Sequence, residues 1–411
     1  MYDFLMSKKY LPYRVAVGFI VGILVGLFFK DFSIWVKPAG TLFMNLIKML
    51  IVPVIFFSVT SGIAAIGDVQ KLKRVGGKVV SVYVIMTILA CVIGIILVNI
   101  VHPGANFDMT GMQAFDASKV KAPNFGNFLF NMVPTNIVAS MVKQDIMQLI
   151  FFTVLFGVAL VYLGDKAKKV VDVCSEAANV VYKMLDIIMI YSPIGVFALM
   201  ANTTAVYGKQ LFGVLAKFVF TDWMGCLAIW FIMSGGVWFY TKIKYIPFCK
   251  AILPVVVNTI ATNSSAGTIP ITLNVVTEKL KVPMSIASFS IPLGATINLT
   301  GAALYKTILA FFVSEIYGLT LTIDQILMVI MISTIMSIAA PGIPGGGIVT
   351  GAIFLNLLGL PMDMMGPIAG MYRLIDMSHT TVNVAGDVLG TMIVAKNENL
   401  WDAKEFNESV K

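Results

Sequence analysis

Apolar runs of about twenty residues, the length a helix needs to cross a hydrocarbon layer, recur from one end of this 411-residue chain to the other. They read approximately as 12–30, 38–66, 79–101, 127–163, 171–200 and 213–240, with further interrupted runs beyond residue 250. The runs are too long and too unalternating for a membrane β-barrel. Charged residues make up 12% of the chain, against about 25% in a soluble domain, so water-facing surface is scarce. The expected fold class is an all-α polytopic membrane protein. The first run leads through Gly26 to Phe29 without a small-residue cleavage pattern, which predicts a retained span rather than a removable leader.

The formal net charge is +8, but its distribution points to membrane topology, not to nucleic acid. Basic residues fall in short loops: Lys8-Lys9 with Arg14, Lys71-Leu-Lys73-Arg74 with Lys78, Lys166 with Lys168-Lys169, Lys242 with Lys244, and Lys279 with Lys281. By the positive-inside rule these loops face the cytoplasm, as does the N-terminus, and the chain belongs in the cytoplasmic membrane. Loops such as 102–124 and 202–210 then lie outside. Cys91, Cys174, Cys226 and Cys249 have no CxxC spacing and read as free thiols.

After residue 250 the pattern changes. Segment 251–280 is interrupted by Thr262-Asn-Ser-Ser-Ala-Gly-Thr-Ile-Pro270, and segment 326–360 by Ser337-Ile-Ala-Ala-Pro-Gly-Ile-Pro-Gly-Gly-Gly347. Gly, Pro and Ser at mid-depth break a helix. Broken backbone is tolerated there only when buried in protein or lining a cavity. Residues 251–314 and 326–396 therefore look like two copies of one unit, a broken hairpin followed by a spanning helix, as in transporters built from inverted repeats. The hairpin tips offer free N–H groups suited to a carboxylate, joined by the hydroxyls of Ser264, Ser265 and Thr268. In the first unit's helix, Gly294-Ala-Thr-Ile-Asn298-Leu-Thr300-Gly301 places Gly and Asn at mid-span, where unwinding would present carbonyl oxygens to a cation.

The last run, about Pro367 to Ala395, carries four ionisable side chains: Arg373, Asp376, His379 and Asp387. A charge at the centre of a bilayer costs roughly 2.5–3.5 kcal/mol even on insertion scales. Asp376, Thr380, Asn383 and Asp387 share one helical face. The two aspartates lie about 16 Å apart along the axis at 1.5 Å per residue, so they serve two sites. Lone Ser or Thr in such helices are usually interhelical glue, whereas intramembrane aspartates point to function. Asp387, Asn298 and Asn383 supply hard oxygens of the kind sodium takes. Arg373 could snorkel to the interface or pair with Asp376 one turn on. His379 reads equally as a packing residue or a proton-sensitive contact. Lys48, mid-span before Pro53, needs a partner or a crevice. Gly345–Gly347 lacks the ending of a phosphate loop. An intramembrane aspartyl protease would need two carboxylates nearly in contact; here both sit on one helix, three turns apart, and residues 384–387 read Val-Ala-Gly-Asp without that group's first glycine. No enzymatic activity is expected.

With these residues the chain resembles the dicarboxylate/amino acid–cation symporters, the group containing the excitatory amino acid transporters and the archaeal aspartate transporters. Matching pieces run through nearly the whole chain: Lys48-Met-Leu-Ile-Val-Pro53, Met132-Val-Pro-Thr-Asn136, Tyr191-Ser-Pro-Ile-Gly-Val-Phe-Ala-Leu199, Ser264-Ser-Ala-Gly-Thr-Ile-Pro270, Gly294-Ala-Thr-Ile-Asn298, Gly342-Ile-Pro-Gly-Gly-Gly347 and Asn383-Val-Ala-Gly-Asp387. The resemblance implies a homotrimer with eight transmembrane helices and two re-entrant hairpins, working as an elevator. Residues 1–250 would supply six helices, for scaffold and trimer contacts and part of the moving domain. Residues 251–411 would form the transport core. Asp376 would hold the substrate's α-amino group, and Thr380 and Asn383 would contact substrate. Ser264 and Ser265, with the gate backbone around Gly345, would hold its α-carboxylate. Asp387, Asn298 and the Gly294 carbonyl would make one sodium site; Thr296 with carbonyls around Ser337 and Ile338 would make a second.

Two departures stand out. The family's usual arginine, three residues after the substrate aspartate, is His379; the alternative arginine position at the first hairpin tip is Asn263. Imidazole lacks the five-donor fork that grips an acidic side chain, and Arg373 would have to reach in from above. The family's Asn-Met-Asp triplet reads Asn298-Leu-Thr300, and Met86 replaces a threonine ligand, while Tyr83, Thr87 and Asn383 remain. That cation site is predicted to be lost or much weakened. The expected function is sodium- or proton-coupled symport of an amino acid or dicarboxylate, without an organic cofactor, with lipid and further copies of the chain as partners. An ion channel using the same broken-helix pathway is the alternative.

Overall fold

The computed structural model describes residues 11–64, 76–105, 107, 133–143, 145–208, 210–339 and 345–410. Among these residues all regular structure is helical. Helices α1 (Leu11–Phe28), α2 (Lys30–Met49) and α3 (Ile51–Ala64) open the chain, followed by α4 (Gly77–Val101), α5 (Ile137–Lys143), α6 (Ile146–Leu163), α7 (Lys168–Tyr207) and α8 (Gln210–Thr241). The expected single span 38–66 is interrupted at Leu50, just before Pro53, and 127–163 is divided near Asp145. Asp145 lies outside the helix and its carboxylate accepts the Gln148 N–H at 3.3 Å, which caps α6. The basic loop at 71–74, Lys8-Lys9, the Lys48 side chain and Met132 lie outside the described residues.

Glycine spacing explains how α1 lies against α7. Gly18, Gly22 and Gly26 recur every four residues and line one face. A Cβ at Gly22 would stand 2.6 Å from the Phe197 carbonyl oxygen, and one at Gly26 2.5 Å from that of Ala201; Pro193 closes on Gly18 likewise. Helices in lipid gain little from hydrophobic exclusion, so close backbone approach through small residues supplies the contact.

The second half is built from paired short helices. Helix α9 (Tyr245–Thr262) turns through Asn263, in the left-handed region at φ 50°, and an extended Ser264 into α10 (Ser265–Asn274). Ser264 Oγ accepts the Gly267 N–H at 3.0 Å and caps α10. Thr268 Oγ1 donates back to Asn258 Oδ1 at 3.1 Å, holding the two arms together. Then come α11 (Met284–Ile297), α12 (Thr300–Ile316) and α13 (Ile323–Ala339); beyond Gly345, at φ 80°, lies α14 (Gly346–Leu357). Residues 340–344, including the Gly342–Pro344 part of the second tip, are outside the described residues. The chain ends in α15 (Met365–Asn397) and α16 (Lys404–Ser409).

Among the described residues, five helical stretches are long and apolar enough to cross a membrane: Gly77–Val101, Ile187–Val206, Phe212–Thr241, Tyr245–Thr262 and Met284–Ile316. The last of these is almost wholly buried by its neighbours, as is α15. By contrast α1, α2 and α7 expose large apolar residues, among them Val17, Ile20, Trp35, Val173 and Ile187. The polar helix is thus wrapped in protein, with apolar helices outermost.

Candidate functional site

Two breaks and one intact helix build the site. The α11–α12 rod stops at Asn298 (φ −102°, ψ 68°) and Leu299 (φ −97°, ψ 55°) and resumes at Thr300. The exposed polar groups at this break are taken up by α15. Asn298 Nδ2 donates to Asp387 Oδ1 at 2.8 Å and to the Asn383 carbonyl at 3.1 Å. The Gly301 N–H donates to Asn383 Oδ1 at 2.7 Å. Thr300 Oγ1 donates to Asn298 Oδ1 at 2.7 Å, and Ser337 Oγ from α13 donates to the Leu299 carbonyl at 2.9 Å. Gly294 has no side chain because the Asp387 carboxylate and the Tyr83 hydroxyl occupy that space. Tyr83 continues the network through Ser290, which also accepts from Thr391 Oγ1 at 2.8 Å. Asp387 is buried, and no cationic side chain among the described residues comes within ion-pair distance.

Asp376 lies about three turns away on the same helix. The Gly345 N–H reaches its carboxylate at 3.3 Å and the Tyr372 hydroxyl at 3.4 Å, both long contacts, and the Asn263 side chain also hydrogen-bonds toward it. Again no described cation lies within ion-pair distance. Arg373, one turn back, donates from Nη2 to the Ala261 carbonyl at 3.2 Å, and its own carbonyl accepts from Asn263 Nδ2 at 3.2 Å. It ties α15 to the first hairpin tip, and of the two alternatives offered by the sequence the Arg373–Asp376 ion pair does not form. Four buried polar atoms around this carboxylate lack a hydrogen-bond partner: Asn263 Oδ1, Arg373 Nε, Tyr305 Oη and His379 Nδ1.

His379 turns its other nitrogen toward α8. Nε2 meets Asp222 Oδ1 at 2.8 Å and Oδ2 at 2.9 Å, and both side chains are at most 1% exposed. Ser378 Oγ reaches Asp222 Oδ2 at 3.4 Å, and Trp223 Nε1 donates to the Leu374 carbonyl at 3.2 Å. The imidazole lies 5.4 Å, centroid to centroid, from Tyr305 and 6.2 Å from Tyr372. A Cβ on Gly301 would come within 2.6 Å of the His379 Cα, so α12 and α15 touch backbone to backbone here.

Of the residues singled out by sequence, Gly294, Asn298, Asn383 and Asp387 come together in one cluster, and Asp376, Gly345 and the Arg373–Asn263 tip in another. Thr380 is buried on α15 between them. Ser264 caps α10 and Ser265 is buried beside it. The Thr296 hydroxyl turns back onto the Leu293 carbonyl at 2.7 Å; Ile338 is partly buried next to Ser337. Asp222 was missed in sequence reading. It is the lone acid in an otherwise uncharged run from Phe218 to Thr241, and the intramembrane-charge rule applied to Asp376 would have found it.

Broken helices facing a polar, protein-wrapped helix define a multi-pass membrane transporter. Residues 11–397 match the model of the sodium:dicarboxylate symporter family, and the chain belongs to that family. A proton/glutamate-aspartate symporter of Bacillus subtilis is 30% identical over 97% of this chain and 97% of its own. A C4-dicarboxylate transport protein of the same species is 32% identical over 98% and 97%. A proton/sodium-glutamate symport protein of Bacillus caldotenax is 31% identical over 98% and 97%. The chain is accordingly a multi-pass protein of the cytoplasmic membrane, in a family of cation-coupled symporters for dicarboxylates and acidic amino acids.

Proposed function

We propose that this chain is a secondary active symporter for an amino acid, driven by sodium. The observation that carries the choice of an amino acid over a dicarboxylate is Asp376. A buried carboxylate needs a positive partner, and here the described residues supply hydrogen bonds from Gly345, Tyr372 and Asn263 but no cation within ion-pair distance. The ammonium group of an amino acid completes it; a dicarboxylate brings a second negative charge instead. The N–H groups and hydroxyls of the Ser264–Ser265 turn, with the Gly345 side of the second hairpin, suit the α-carboxylate. Thr380 and Asn383 face substrate from α15.

Sodium binds at Asp387, which lacks a cationic partner, with the Asn298 and Asn383 oxygens and the Gly294 carbonyl beside it. Thr296, Ser337 and Ile338 form the second cation position. The family's further site at Asn298-Leu-Thr300 is weakened here: Thr300 donates a hydrogen bond to Asn298 Oδ1 and brings no negative charge to a cation. Asn383 belongs to the Asp387 cluster and lies one turn from Asp387 and one from His379 on α15, so a substrate reaching it orders the cation site and the cation orders the substrate site. That reciprocity is what couples an uphill solute to a downhill ion. Residues 251–411 form the core that moves, with re-entrant hairpins α9–α10 and α13–α14. The exposed apolar faces of α1, α2 and α7 suit lipid and the contacts of a trimer, which supports an elevator within eight spanning helices. The protein carries out no covalent chemistry.

Thermal stabilisation of the purified protein by amino acids and by succinate, each with and without sodium, tests this. Amino acids should raise Tm in a sodium-dependent way, because bound ligand stabilises by mass action, and Asp376→Asn should abolish the effect. Stabilisation by succinate alone would overturn the reading. Saturable counterflow in proteoliposomes separates a carrier from a channel.

A further inference from the structure

Resting on that reading, we propose that Asp222 and His379 form a charge-compensated side-chain subsite that selects amino acids with an uncharged, hydrogen-bonding side chain. Asp222 acts as a positioning residue on α8, and His379 presents the free edge of its ring to the substrate.

The first observation is electrostatic. Both Asp222 oxygens close on His379 Nε2 at 2.8 and 2.9 Å in surroundings that exclude water. With a protonated imidazole the pair sums to zero, and with a neutral one to minus one. In neither state does it carry net positive charge. Arg373, two turns before His379 on α15, is tied to the Ala261 carbonyl at the hairpin tip, and Lys306 on α12 is tied to the Ala302 carbonyl. A substrate side-chain carboxylate entering here would meet the Asp222 carboxylate in a low-dielectric interior, where like charges repel strongly.

The second observation is positional. His379 lies three residues beyond Asp376, on the same side of α15. Its ring adjoins Tyr305 and Tyr372, and Tyr372 in turn reaches Asp376. Two polar atoms of this group, His379 Nδ1 and Tyr305 Oη, are buried without a partner. Orphaned polar atoms in a dry site favour a ligand that satisfies them and reject one that does not. Together they accept and donate, which fits the hydroxyl of serine or threonine or the carboxamide of glutamine.

The test is a ligand titration on purified protein in sodium, reading thermal stabilisation for wild type, His379→Arg, Asp222→Asn and the double variant. Wild type should bind serine, threonine or glutamine at least roughly tenfold more tightly than aspartate or glutamate. His379→Arg alone should leave aspartate binding close to wild type, because Asp222 takes the guanidinium as a bidentate partner. The double variant frees that guanidinium and should bind aspartate at least roughly tenfold more tightly than wild type. Aspartate or glutamate ranking first in wild type would overturn the inference, and so would an equal gain from His379→Arg alone. The wild-type ranking decides the matter even if a variant fails to fold. Stabilisation by succinate and by no amino acid would overturn this and the preceding reading together; an acidic amino acid ranking first would overturn this one alone.

Discussion

Gly294→Ala is the smallest change that probes the proposed cation site. A Cβ at this position would stand 2.6 Å from Asp387 Cγ and 2.7 Å from the Tyr83 hydroxyl, where ordinary contact begins at 3.4 Å. The shortfall is larger at Asp387 Oδ1, which lies closer still, and about 0.8 Å at its Cγ. Moving Asp387 away by that much stretches its 2.8 Å bond from Asn298 Nδ2 to about 3.6 Å, which is no longer a hydrogen bond. Overpacking of this kind costs about 1–3 kcal/mol. A cation held by Asp387, Asn298 and the Gly294 carbonyl loses its geometry at the same time. Disturbing even the groups around a metal's ligands typically costs about 10–100-fold in affinity, and a displaced ligand should cost at least as much. The assay is a sodium titration of thermal stability at saturating amino acid, beside Gly213→Ala, where a Cβ meets nothing within 4 Å. The sodium midpoint should rise at least about tenfold for Gly294→Ala and stay put for Gly213→Ala. A folded Gly294→Ala protein with the wild-type sodium midpoint would refute the placement of the ion beside Asp387.

Gly301→Ala drives a methyl to 2.6 Å from the His379 Cα and 2.9 Å from its carbonyl oxygen; backbone cannot rotate aside, so Tm should drop by an amount corresponding to about 1–3 kcal/mol or more. Asn298→Ala strands Asp387 Oδ1 and the Thr300 hydroxyl, at roughly 1–3 kcal/mol for each unsatisfied group, and should lower both Tm and the response to sodium. Lys306 is fully buried on α12, with Nζ donating to the Ala302 carbonyl at 3.0 Å and no carboxylate within ion-pair distance among the described residues. Lys306→Met removes an uncompensated buried amine and should leave Tm unchanged or raise it; a lower Tm would show that the amine has a polar role in the fold.

The helical class was legible because hydropathy and spacing act locally. A run such as 213–240 has to become a buried or membrane-crossing helix whatever its neighbours, and α8 spans Gln210–Thr241. The breaks were legible for a related reason. Asn263-Ser264 and Asn298-Leu299 interrupt apolar runs with residues whose side chains compete for backbone partners, and the chain turns or unwinds at both. Helix-face periodicity then put Asp376 and Asp387 on one side of α15, which only required counting. Partners across helices were the illegible part. Nothing in the order of residues says that Asp222, 157 positions earlier, faces His379, or that Arg373 prefers a carbonyl at Ala261 to the carboxylate one turn away.

α15 shows why hydropathy alone ranks such helices wrongly. It carries Arg373, Asp376, His379 and Asp387 and is not among the stretches apolar enough to cross a membrane unaided, yet most residues from Met365 to Ala395, Asp376, His379 and Asp387 among them, are buried. The cost of its polar groups is met locally rather than by lipid. Asn298 and Gly301 satisfy Asn383, Asn298 satisfies Asp387, and Asp222 satisfies one nitrogen of His379. What remains after that pairing is Asp376, held by long contacts and without an ion-pair partner among the described residues, and a few orphaned atoms around it. An incompletely compensated carboxylate beside orphaned polar atoms is what supports the proposed seat of cargo at Asp376.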